Sequence, residues 1–134
     1  MGPVNWLAVI LAANLAVALA IVWNGPLFGT GRPLLQSRND TSTPPAKNWA
    51  IALAVMLIAS AMLGHMYARI GATTLAVKPW LYWMQSGGLA VAFVIPALWL
   101  SALRAGVDRR VAALDCGFWL VAYLTMGTVF WALG

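Results

Sequence analysis

Charge is scarce in this sequence. Of 134 residues, 8% are Asp, Glu, Lys or Arg, while 63% are hydrophobic. A soluble domain carries roughly a quarter charged residues, so water is excluded as the solvent for most of this surface. Cysteine is scarcer still: Cys116 is alone, which excludes an intrachain disulfide framework and a cysteine-built metal cage. The net charge of +5 comes from dispersed basic residues, with no run that would form a stripe for nucleic acid. Catalytic constellations are missing as well. No span carries two carboxylates, no Ser-His-Asp spacing is discernible, and the glycines Gly25, Gly29 and Gly31 are followed by no Lys-Ser or Lys-Thr, as a phosphate loop would require. Neither an enzyme nor a resident metal or cofactor is expected.

What the sequence does have is apolar length. Runs of about 20 apolar residues suffice to cross a bilayer, and four occur, at about 4–24, 47–70, 79–103 and 111–133. The expectation is a single domain over 1–134, an all-α integral membrane four-helix bundle. The first run lacks the basic leader and small-residue cleavage site of a signal peptide and exceeds its usual length, so it reads as a mature span. A Gly-, Pro-, Ser- and Thr-rich loop is expected over 25–46, and a short turn over 71–78. Pro79 suits the first turn of the third span. Pro96, inside that span, predicts a kinked third helix, because proline cannot donate to the carbonyl four residues back and crowds it.

Topology follows from Lys and Arg. Arg32, Arg38, Lys47, Arg104, Arg109 and Arg110 share one side of the membrane, against Arg69 and Lys78 on the other. The positive-inside rule then turns both termini outward, to the periplasm if the membrane is a bacterial inner membrane.

Inside lipid, close backbone approach drives helix association, so small residues four apart mark candidate contacts. Such rows are Ala12, Ala16 and Ala20 in the first span, Ser60 and Gly64 in the second, and Ala113 and Gly117 in the fourth. Polar groups within spans are the candidates for ion or polar contact: Asp115, His65, Gln85 and Asn14. Asp115 reads either as an acid favoured by the start of its helix or as a partner for a nearby arginine, a cation or a proton. His65 reads as an interfacial hydrogen-bonding residue; a pigment or haem ligand is the sharper alternative, because Ala61 four residues earlier leaves room for a flat ring. Asn14, Gln85 and Ser86 are expected to bond between helices.

The segments Val4-Asn5-Trp6-Leu7-Ala8, Trp23-Asn24-Gly25-Pro26-Leu27-Phe28-Gly29 and Arg109 to Leu120, continuing to Met126-Gly127, resemble the bacterial domain-of-unknown-function family numbered 1761. Its members are small four-span membrane proteins. Where members often have Trp-Tyr at the end of the first span, this chain has Trp23-Asn24, so no role for an aromatic pair carries over. The resemblance implies the architecture and leaves function open. Function is expected to be that of a non-enzymatic membrane subunit surrounded by lipid, forming a homo-oligomer or joining a larger membrane complex. A small oligomeric channel or transporter is the alternative.

Overall fold

Backbone groups in hydrocarbon must satisfy one another, and helices achieve this within a single segment. The computed structural model, whose described residues are 2–28 and 45–134, contains no strand among them. Helix α1 covers Trp6–Val22, and Asn5 caps it by accepting from the Ala8 amide. The chain then keeps turning through a π-helical segment, Trp23–Leu27, with the Phe28 amide reaching back to the Trp23 carbonyl. The first span therefore passes the expected stop at Asn24-Gly25-Pro26, because the wider turn accommodates Pro26. Residues 29–44 of the expected long loop, Arg32 and Arg38 with them, lie outside the described residues.

Helix α2 covers Pro45–Ile70 and ends at Gly71, whose φ of +89° favours glycine. The expected turn after it is instead a short helix, α3, Ala72–Val77. Pro79 is not inside the next helix: α4 begins at Leu81 and runs to Leu89, and the Pro79 carbonyl accepts from the Tyr82 amide just before it. The irregularity expected at Pro96 takes the form of a π-helical segment, Ala90–Val94, in which the Ile95 amide donates to the Ala90 carbonyl. Widening the turn is a common way to fit an extra residue or a proline ring without breaking the helix. Helix α5, Ile95–Arg104, completes that span, and α6 covers Arg109–Leu133.

Four helical segments are long and apolar enough to cross a membrane: Trp6–Leu27, Ala46–Ile70, Leu81–Arg104 and Arg109–Leu133. Their 22 to 25 residues correspond to about 33–38 Å at 1.5 Å per residue, enough for a hydrocarbon core of about 30 Å. The chain is a multi-pass membrane protein.

Helix α1 packs between α2 and α6, and α6 carries α4 and α5 on its other side. The α1 contact surface is nearly all alanine: Ala8, Ala12, Ala13, Ala16 and Ala20 are buried. Ser60 and Gly64 of α2 are buried, and Ser60 donates to the Val9 carbonyl at 2.9 Å. On α6, Gly117 is half-buried against the Trp23 ring, whereas Ala113 is exposed. Helix α4 comes close to α6 at Gly127, where a methyl group would overlap the Ser86 hydroxyl. That glycine was not among the rows expected, because Tyr123 and Trp131, the residues four away from it on α6, are large.

Candidate functional site

Two regions stand out once the helices are assembled: an outward stripe on α1 and a cavity at the end of the bundle where the termini meet. The stripe is read from exposure. Leu7, Leu11, Asn14, Ala18, Ile21 and Gly25 are all exposed, and their spacing alternates between four and three residues. That is the heptad spacing of a two-helix seam. Asn14 lies near the middle of the span, and its Nδ2 donates to the Ile10 carbonyl at 2.8 Å in its own helix. The expected bond to another helix of this chain is therefore absent: Asn14 points away from the bundle. Its second amide hydrogen and Oδ1 have no partner among the described residues.

The cavity measures about 400 Å³ and is half-open. It is built by both ends of the chain, because the Gly2 amide donates to the Ala68 carbonyl and the Asn5 side chain donates to the Leu133 carbonyl. Its apolar walls include Val4, Leu75 and Phe130, and its aromatic side is a stack in which Tyr67 lies 4.8 Å from Tyr82 and 5.1 Å from Phe130. No side chain lining it is ionisable apart from the two tyrosines. The Tyr67 hydroxyl donates to the Tyr82 carbonyl at 2.7 Å, and the Ser86 hydroxyl donates to the same carbonyl at 2.9 Å. Ser86 thus bonds within its own helix, and its hydroxyl also interacts with that of Tyr67 across on α2.

The polar residues singled out in the sequence do not converge. His65 is exposed; its Nδ1–H donates to the Ala61 carbonyl at 2.8 Å, and its ring meets the edge of Trp6. Its neighbour Gly64 faces Phe130, whereas Asp115 lies fifteen residues before Phe130 on α6, about 22 Å along the axis. The two are at opposite ends. Asp115 is also not the acid at the start of its helix: α6 has none in its first turn, and the cap is Asp108, which accepts from the Arg110 and Val111 amides. Gln85 is half-buried in α4. Among the described residues, no group of three or more His, Cys, Asp or Glu forms a metal site.

The candidate residues read from the sequence include neither Tyr67 nor Tyr82, and nothing in the sequence points to the cavity. Helix spacing cannot reveal that residues so far apart share a wall with both chain ends. The bond from Trp83 Nε1 to Thr128, which ties α4 to α6 at 3.0 Å, was missed for the same reason.

A family model described as "Protein of unknown function (DUF1761)" matches residues 7–131. No curated protein matches the chain, and no solved structure does.

Proposed function

The chain belongs to the DUF1761 family, and from that premise we propose that it is a structural membrane subunit that assembles with a second copy of itself through the outward stripe of α1. The observation that carries this reading is Asn14. An amide at mid-depth facing lipid leaves hydrogen-bonding groups unsatisfied, which is costly in hydrocarbon. A second copy of α1 related by a two-fold axis brings its own Asn14 opposite, and each amide then donates to the other. Asparagine at one seam position is a known device for fixing register and partner number, and small residues such as Ala18 and Gly25 let the backbones approach.

The role is non-catalytic and needs no cofactor. The membrane we assign is a bacterial inner membrane, in which the charge count favours the six basic residues inside and both termini outward.

Cysteine cross-linking tests the interface. In a Cys116→Ser background, single cysteines at positions 7, 11, 14, 18 and 21 should oxidise to dimers in native membranes. Cysteines replacing Ile58 or Met62, which are exposed on α2, should not. Cross-linking that ignores this pattern, or favours α2, would rule out the α1 interface.

A further inference from the structure

Buried tyrosine hydroxyls find a hydrogen-bond partner as a rule. Tyr82 is 7% exposed, it lines the cavity between the chain ends with its hydroxyl beside Gly134, and that hydroxyl donates to no described residue. The other polar groups of that wall are committed. Tyr67 donates to the Tyr82 carbonyl; Asn5 accepts from the Ala8 amide through Oδ1 and donates to Leu133 through Nδ2. One unused donor therefore remains in an apolar chamber already held open by bonds between its walls.

We infer that this cavity binds a neutral, membrane-dissolved molecule with a compact apolar body and one carbonyl oxygen that accepts from the Tyr82 hydroxyl. Its volume of about 400 Å³ falls within the usual range for small-molecule pockets, about 300–1,000 Å³. A neutral body suits the side chains of the lining, none of which is lysine, arginine, histidine, aspartate or glutamate. An apolar body matches Val4, Leu75 and Phe130, and the tilted rings of Tyr67 and Tyr82 offer a flat ring an aromatic neighbour. The half-open form gives a way in. This site is independent of the α1 stripe, with which it shares no residue.

The test compares two probes of similar shape, 2-methyl-1,4-naphthoquinone and 2-methylnaphthalene, which differ in the carbonyl oxygens. Binding to the full chain in lipid nanodiscs is measured by equilibrium dialysis, with empty nanodiscs as the blank. The wild type should bind the quinone saturably above the blank. Tyr82→Phe, which removes the hydroxyl and keeps the ring, should weaken the quinone about tenfold and leave the hydrocarbon unchanged. The hydrocarbon result also reports that the cavity is intact in the variant. No binding above empty nanodiscs, an unchanged quinone affinity, or equal weakening of both probes would each overturn the inference.

Discussion

The hydroxyl of Tyr67 donates to the backbone carbonyl of Tyr82 at 2.7 Å, across rings 4.8 Å apart. This pair joins the second span to the third, which otherwise meet little: α1 and α6 separate them along most of their length. The two hydroxyls stand in contrast, one bonded to a backbone oxygen and the other facing the cavity.

That contrast gives the first prediction. Tyr67→Phe removes a buried interhelical bond and should lower stability by about 1 kcal/mol, within the range measured for such bonds in membranes. Tyr82→Phe removes a hydroxyl that bonds to no described residue, and without ligand it should be neutral or slightly stabilising. Unfolding in mixed micelles, followed by circular dichroism, measures both. Equal losses would contradict the assignment of partners.

Glycines in α4 and α6 separate packing from helix propensity. Gly127→Ala places a methyl against the Ser86 hydroxyl and 3.0 Å from the Tyr82 carbonyl oxygen, so α4 and α6 must move apart. A loss of about 1–3 kcal/mol is expected for such overpacking. At Gly88, nothing lies within 4 Å of the added methyl. Gly88→Ala should be neutral or stabilise by up to about 1 kcal/mol through helix propensity. The same unfolding assay ranks the two.

Asp108 is the measurable acid of the loop before α6. Asp108→Ala deletes the acceptor of the Arg110 and Val111 amides and should cost about 0.5–2 kcal/mol, with Asp108→Ser recovering most of it. Asp115→Ala should show no comparable capping loss, since its residue lies beyond the first turn of α6. Hydrogen exchange of the amides at 110 and 111 localises the effect: it should rise in Asp108→Ala alone.

Cys116 is buried, with its thiol 3.9 Å from the Ile95 carbonyl where α5 packs on α6. Alkylation of this thiol by N-ethylmaleimide should therefore be slow in folded protein and at least about tenfold faster after unfolding in SDS. Fast labelling of the folded protein would show that α5 separates readily from α6.

Much of the fold was legible because the bilayer imposes length and composition on its spans. The run ending at Trp23 and the run beginning after Pro45 could hardly be anything but spans, and the alanines at 12, 16 and 20 announced a close helix contact. Local errors came from backbone detail. Pro26 and Pro96 both read as interruptions, yet each is absorbed by a π-helical turn, which has no strong sequence signature. Asp115 looked like a helix-start acid because the start of α6 was placed too late by two residues, hiding Asp108 as the cap.

The sequence by itself determined the four spans, the class of solvent around them and the family, since each depends on residue type and order. Tertiary structure alone decided which way Asn14 faces, which tyrosine keeps a free hydroxyl, and that Gly2, Asn5 and Leu133 close a chamber with Tyr82. The reason is physical. In a soluble helix, polarity marks the outside, but in these spans both faces are apolar, and the inside is chosen by shape. Alanines and glycines turn inward where backbones can approach, large side chains such as Met56, Leu63 and Phe130 fill the gaps between them, and only the assembled helices show where those choices leave a polar group facing out or a donor without a partner.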